Sequence, residues 1–327
     1  MSTLVNVKDG IQSISSIFSF FTNSLAIFLI FTKSPSKMGA YKYLMIYFAL
    51  VSIVFSMFEF SVKPFMHTHQ SCLIVFAKRL EGFSENTNLL ILCAACGTVS
   101  VTISIFAIHF IFRYFAIERK GKLAYFQGFY LIFWIIVPLI SGLIWLISIR
   151  VLLGPNETTS NFIRQKILET YGFDMSEIVY VAAFYGTQND LKYNVIAGMV
   201  SLFLNLTFSI GIVLFCGFKI FRKVKLLDKI EGESKYTKRL QKQLARALVI
   251  QTLLPICLVI IPLATVFILP IFDIGLNGFT EIVNLSTAIY PAVDPLPTIL
   301  IVDNYRKSLG NCLFFAVKSR KIQQIPE

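Results

Sequence analysis

Seven apolar runs, each about 20 residues long and nearly free of charge, follow one another along the 327-residue chain. That is the length an α-helix needs to cross a hydrocarbon layer of roughly 30 Å. The runs cover residues 11–32, 43–62, 87–112, 129–149, 195–218, 244–270 and 282–302. A water-soluble domain could not hide them, because 56% of the residues are hydrophobic and 15% are charged, against roughly 25% charged in an ordinary globular chain. In lipid every backbone N–H and C=O needs an internal partner, so spanning segments are helices or closed barrels. The ten-residue alternation of barrel strands is missing. The sequence therefore predicts an all-α integral membrane protein, a seven-transmembrane helix bundle in which Pro138, Pro255, Pro262, Pro291 and Pro295 kink their helices.

Charge sets the expected orientation. Segments 33–42, 113–128, 219–246 and 303–327 hold 22 of the 30 Lys and Arg residues, and the alternate segments hold 8. By the excess of cations on cytoplasmic loops, the first set faces the cytoplasm and the N-terminus, residues 1–10, lies outside. The first run lacks a basic leader and a small-residue cleavage site, so it reads as a retained anchor. The net charge of +12 is no nucleic-acid signature, since it divides into +16 on the inner segments, −2 on the outer ones and −2 within the spans, at Glu59 and Asp294. An inner face so charged is drawn to anionic lipid head groups and acidic partner surfaces. On the outer side, segment 150–194 is the longest and carries the glycosylation sequon at Asn156.

Intramembrane ionisable groups are costly and usually functional. Here they are Glu59, His109 and Asp294, dispersed over spans 2, 3 and 7. Glu59 reads either as a helix-end carboxylate beside Lys63 at i+4 or as the polar anchor of a pocket. With it, Asn88, Met199, Phe267 and Thr287 are the candidate pocket residues by depth, polarity or aromatic character. His109 and Arg113 share one face at the inner end of span 3, where long cations also snorkel to the interface. Two basic amphipathic stretches, Ile220–Val224–Leu227 with Arg222 and Lys223, and Leu240–Leu244–Leu248 with Lys238 and Arg239, extend spans 5 and 6 inward. They fit equally a lipid surface or a partner helix. After span 7, residues 303–327 begin as a short surface helix, with Cys312 placed for palmitoylation. The six cysteines fall mostly inside the runs and form no metal set, so neither a cofactor nor an enzymatic constellation is expected.

The local motifs narrow the class. Tyr41-Lys42-Tyr43-Leu44-Met45, Glu59-Phe60 with Lys63-Pro64, His109-Phe110-Ile111-Phe112-Arg113-Tyr114, Leu240-Gln241-Lys242-Gln243-Leu244 and Tyr290-Pro291 with Asp294-Pro295 run in order along the chain. In these the sequence resembles the nematode Str superfamily of serpentine chemoreceptors. The resemblance implies a G-protein-coupled receptor of sensory neurons, at the plasma membrane and usually the cilium. It would bind a small odorant or other environmental molecule and activate a heterotrimeric G protein. It further implies coupling and switch roles for His109, Arg113, Tyr114, Lys223, Arg239, Tyr290, Pro291, Asp294 and Pro295. Arg113-Tyr114 is similar to the Asp/Glu-Arg-Tyr signature of rhodopsin-like receptors, but Phe112 stands in place of the acid. Loop 150–194 holds no Cys, so the usual bridge from the top of span 3 cannot form. A transporter or ligand-gated channel, the rival reading, would be expected to line its path with more charge than three dispersed groups.

Overall fold

The structure, a computed structural model, describes residues 3–118, 122–186, 190–224, 235–275 and 278–311. Its long helices are α1 (Thr3–Lys33), α2 (Tyr41–Ser61), α3 (Glu85–Glu118), α4 (Tyr130–Leu152) and α6 (Asp190–Val224). A sixth segment joins α7 (Lys235–Pro255) to α8 (Ile261–Ile268) through a π-helical turn at Ile256–Ile260. These six are each long and apolar enough to cross a membrane. The seventh, Phe279–Ile301, is broken at Asp294–Pro295 into α9 (Phe279–Val293) and α10 (Leu296–Ile301). Beyond it α11 (Asp303–Asn311) turns away by 95°. The fold is therefore a seven-helix bundle.

The helices overrun the apolar stretches at both ends, because polar flanks prolong a helix without registering as hydropathy. Residues 3–10, expected as an external leader, belong to α1. Lys8 is buried there, with its ammonium donating to the carbonyls of Lys63 (3.2 Å) and Pro64 (2.6 Å) and seated 3.2 Å over the Phe65 ring. The rest of α1 is amphipathic in the sense lipid demands. Gln12, Ser16, Ser19, Thr22 and Asn23 face the bundle, whereas Ile14, Ile17, Phe18, Phe21 and Phe28 face outward. Where α3 meets α4, Gly97 and Gly142 let the backbones close up. A Cβ on Gly97 would stand 2.9 Å from the Gly142 carbonyl oxygen, and one on Gly142 would run into Val101.

At one end of the bundle, hereafter the sheet end, lies an element the hydropathy pattern does not announce. Strands β1 (Phe65–His69), β2 (Cys72–Lys78) and β3 (Ile178–Phe184) form an antiparallel sheet in that order. The β1–β2 hairpin pairs His69 with Cys72, and β2–β3 pairs Cys72 with Phe184 through to Lys78 with Ile178. Alternation along the strands gives the sheet two apolar faces. Phe65, Ile74, Phe76, Ile178 and Tyr180 pack under α5 (Glu157–Tyr171) through Ile163, Ile167 and Tyr171. Leu73, Val181 and Ala183 instead belong to the bundle core. The β2–β3 ladder thus ties the segment entering α3 to the segment entering α6, a link made of main-chain hydrogen bonds. The described cysteines are free, with Cys72 and Cys93 fully buried.

Candidate functional site

Beneath the sheet's inner face the helices border a cavity of about 90 Å³. Its roof is Met66, Leu73, Val75, Val181 and Ala183, and its walls include Phe55, Trp145, Met199, Leu263 and Phe267. Glu59 is the cavity's one ionisable carboxylate and Thr287 its hydroxyl. Of the expected pocket residues, Glu59, Met199, Phe267 and Thr287 line this space. Asn88 does not. Its amide caps the turn before α3, accepting from the Leu80 N–H (2.8 Å) and donating to the Leu80, Phe83 and Ser84 carbonyls. Polarity and depth alone could not separate a loop-holding amide from a pocket amide.

Glu59 is not paired with Lys63. Lys63 leaves α2 with a left-handed φ of 49°, which swings its ammonium to Asp9 (3.5 Å). The Glu59 carboxylate is buried and accepts a 2.7 Å hydrogen bond from Gln12 of α1. Gln12, Lys8 and Trp145 are the residues that sequence reasoning missed here. The available signal was the spacing of Lys8, Gln12, Ser16 and Ser19 on one face of an otherwise apolar run. Among the described residues, the buried Trp145 indole N–H has no acceptor.

The opposite, basic end is built around Arg113, which is 2% exposed and does not snorkel. Its guanidinium lies 3.5 Å over the Tyr41 ring and donates to Gln241 of α7 at 3.2 Å. The Nε and Nη2 donors have no partner among the described residues. Planar stacking of this kind requires guanidinium rather than ammonium. Tyr41 is in turn fixed against His109 (5.4 Å between rings) and Phe112 (5.0 Å). His109, also buried, meets the Leu44 carbonyl at 3.3 Å and the Tyr41 hydroxyl at 3.4 Å. So the position expected to carry an acid instead packs an aromatic beside the ring on which the arginine lies.

Other coupling candidates sit around this centre in separate groups. Tyr114 donates to Glu118 (3.2 Å), which also pairs with Lys223 of α6 (3.4 Å). Arg239 of α7 pairs with Asp303 (2.6 Å), which Arg306 shares at 2.7 Å. Cys312 and residues 225–227 lie outside the described residues. Deeper in the bundle, Tyr290 donates to the fully buried Asp294 (3.3 Å), whose second carboxyl oxygen has no partner among the described residues.

The reason for the α9–α10 break is chemical. Pro295 has no N–H, so the Pro291 carbonyl four residues earlier loses its helical partner. Asn23 of α1 donates to it at 2.9 Å, and Thr22 donates to the Ala292 carbonyl at 3.0 Å. Gln251 of α7 donates to the Asp294 carbonyl at 3.2 Å. Pro291, Asp294 and Pro295 are thereby joined to both α1 and α7, the helix that also holds Arg113 through Gln241.

An apolar cavity at one end, a buried arginine at the other and broken helices between them define a serpentine membrane protein with seven spans. Comparison with known proteins gives the family. The model described as "Serpentine type 7TM GPCR chemoreceptor Str" matches residues 8–310. The chain is 29% identical to G-protein coupled receptor str-33 of Caenorhabditis elegans, over 98% of this chain and 96% of that one. It is 30% identical to G-protein coupled receptor str-217 of the same organism, over 88% and 84%. With Serpentine receptor class r-10, also of C. elegans, it shares 26% identity over 94% and 91%. The chain belongs to the Str family of serpentine chemoreceptors, which are multi-pass membrane receptors and not enzymes.

Proposed function

We propose that this receptor binds a small environmental molecule, of the odorant type, in the cavity beneath the sheet and activates a heterotrimeric G protein at its basic end. The single observation that carries the reading is the pairing, in one bundle, of an apolar cavity lined by one carboxylate and a distant buried arginine, two of whose nitrogens have no partner among the described residues. Apolar walls with few polar groups suit small organic ligands. At the basic end a groove of about 980 Å³ runs between α6, α7 and α10. Ile220, Leu248 and Leu300 are apolar in it, and Lys238, Lys242 and Arg246 are basic. That chemistry suits the amphipathic, acid-bearing C-terminal helix of a Gα subunit.

The reading places the sheet end and the N-terminus outside the plasma membrane, as the 22 to 8 division of cations supports. Asn156 then faces the glycosylating compartment. It is the N-cap of α5, accepting from the Thr159 N–H at 2.9 Å through Oδ1. The reading takes the sensory cilium as the membrane in question. His109, Tyr114, Lys223, Arg239, Tyr290, Pro291, Asp294 and Pro295 form the coupling and switch set around Arg113, and Cys312 is a palmitoylation site.

The test is a ligand panel read by calcium or cAMP in cells expressing the receptor. Met199→Ala, Phe267→Ala and Thr287→Val should shift the potency of an active ligand at least tenfold at equal surface density. Unchanged dose–response curves for all three would move the ligand away from this cavity. An N-terminal epitope accessible only after permeabilisation would reverse the orientation and end the reading.

A further inference from the structure

What the cavity can hold follows from its size and from the hydrogen-bonding groups on its wall. An apolar cavity of about 150 Å³ admits benzene. On that scale the space here, about 90 Å³, takes about four non-hydrogen atoms.

Donors are scarce on the wall. The roof's main chain is engaged in the ladder, where Leu73 stands opposite Ala183 and Val75 opposite Val181. The Met66 N–H and carbonyl both bond to Asn284, at 2.8 and 3.1 Å. Thr287 spends its proton on the Val283 carbonyl at 2.8 Å, which leaves its oxygen to accept. The Trp145 indole N–H has no partner among the described residues, but the nitrogen itself is buried within the wall. The Cys96 thiol is a weak donor.

The strongest acceptor is Glu59. Its Oε2 takes the Gln12 amide at 2.7 Å, and its Oε1 has no hydrogen-bond partner among the described residues. An ionised carboxylate has room for about four such bonds. Charge decides which kind of donor suits it. Buried Lys8, one turn along α1 from Gln12, acts on Glu59 with the opposite sign, while its ammonium is already bound to the Lys63 and Pro64 carbonyls. A ligand ammonium would add a second cation where the first already offsets the carboxylate, and an unbalanced charge in a dry interior is costly. A hydroxyl adds no charge. Its bond to a carboxylate is nonetheless charge-assisted, roughly twice as strong as one between neutral groups.

We propose that the cavity selects small neutral alcohols, whose hydroxyl donates to Glu59 Oε1 while the carbon chain packs on Phe55, Met199 and Phe267. This class of ligand rests on the reading that the cavity is the ligand site.

Propan-2-ol, acetone and isopropylammonium match in number of non-hydrogen atoms and nearly in shape. They carry, in turn, a neutral donor, an acceptor alone and a charged donor. The full-length receptor in phosphatidylcholine nanodiscs is titrated with each at pH 7, and dissociation constants are read by saturation-transfer NMR against empty nanodiscs, which corrects for partition into lipid. Propan-2-ol should bind about tenfold or more tighter than either of the others, the weight of one hydrogen bond to a charged group. Glu59→Gln keeps the side chain's size and should bring propan-2-ol to within about threefold of acetone. Trp145→Phe should leave the order unchanged. The order in the unaltered receptor is itself decisive, so the test does not depend on any variant folding. Acetone binding as tightly as propan-2-ol would overturn the donor requirement, and isopropylammonium binding tightest would show that Lys8 does not offset the carboxylate. Either result removes the alcohol class. Met199→Trp, which fills the cavity, tells the two readings apart. If it abolishes binding but the order is wrong, the cavity remains the ligand site and the class fails. If propan-2-ol binds as well with the cavity filled, the site lies elsewhere and both readings fail.

Discussion

The two ends of the bundle are held together by different means. At the sheet end the connections are main-chain ladders, five residue pairs between β1 and β2 and seven between β2 and β3, with an apolar layer on each face. At the basic end they are single side-chain contacts: Arg113 to Gln241, Lys223 to Glu118, and Arg239 with Arg306 to Asp303. A ladder opens only when several bonds are lost together, whereas side-chain pairs exchange one at a time and half-exposed ones contribute little. The helices that would have to move also carry their own breaks, the π-helical turn at Ile256–Ile260 and the interruption at Asp294–Pro295. Such turns are common at functional hinges. On the proposed function the contrast would separate a pre-formed recognition end from an end that rearranges, and a ligand shifts such an equilibrium only by its differential affinity for the two forms.

The strongest break of this comparison is at Arg113. Arg113→Ala should reduce ligand-stimulated nucleotide exchange on the G protein to background while ligand affinity without G protein stays within about threefold. Arg113→Lys should recover little, because an ammonium cannot reproduce the stack on Tyr41 together with the Gln241 bond. Gln241→Leu removes the one described hydrogen bond holding Arg113 across to α7, so ligand-free exchange should rise. Full signalling by Arg113→Ala at equal surface density would leave the basic end as a lipid-binding surface.

The next effect tests the sheet end through pH. His67, on the sheet face covered by α5, is buried and has its pKa pushed down to about 4, first by that burial and then by Lys166 and His69. Its Nδ1 lies 3.1 Å from the Tyr171 hydroxyl, which donates to Glu281 at 3.0 Å. A histidine whose folded pKa lies below its unfolded value of about 6.5 leaves stability untouched above that value. As pH falls from about 6.5 to about 4 the unfolded chain gains the proton first, and stability is lost through that window. The loss amounts to about 3 kcal/mol at most. Hydrogen exchange of β1–β3 amides at pH 7 and at pH 4.5 should show the difference, and His67→Phe should shrink it. An equal pH effect in the variant would assign the sensitivity to other groups.

A smaller effect is expected in the middle of the bundle. Asn23→Ala leaves the Pro291 carbonyl without a partner in a dry environment, at a cost of about 1–3 kcal/mol. Thermal unfolding in detergent should drop accordingly, and Asn23→Leu, similar in size but without a donor, should not rescue it. Val54→Ala on the exposed face of α2 is the control and should have little effect.

These differences also mark how far the sequence could be read. The seven spans follow from hydropathy, and the helix breaks follow from Pro255 and Pro295, whereas α4 and α9 run unbroken through Pro138 and Pro291. The Arg113 environment was half legible: the motif located the residue, but its burial depends on Tyr41 and Gln241, 72 and 128 positions away in sequence, which no local pattern links to it. The sheet was not legible for a physical reason. Both its faces are covered, so β2 shows no polar alternation, and its hairpin turns on Gln70 at φ 48° rather than on Gly or Asn. Gln12 and Asn23 escaped because a polar residue within a 20-residue apolar window barely lowers the average. Only their common face on α1 shows that they point inward.

The smallest effect sharpens the comparison at the turn that joins the bundle to the sheet. Lys63 occupies the left-handed region at φ 49° directly after α2, a conformation that costs a non-glycine residue about 1–2 kcal/mol. Its ammonium recovers part of that through Asp9, but the pair is 3.5 Å long and partly exposed, and such pairs contribute about 0–1 kcal/mol. The carbonyl of Lys63, in contrast, accepts from buried Lys8 whatever side chain residue 63 carries. Lys63→Ala keeps the strain and loses the pair, so it should destabilise by no more than about 1 kcal/mol. Lys63→Gly relieves the strain and loses the same pair, so it should be neutral or slightly stabilising by about 0.5 kcal/mol. The ordering of melting temperatures, glycine at or above the original and alanine below it, is the measurement. If glycine melted lower than alanine, the Lys63 side chain would be holding the sheet to the bundle, and the sheet end would depend on a side-chain contact as the basic end does.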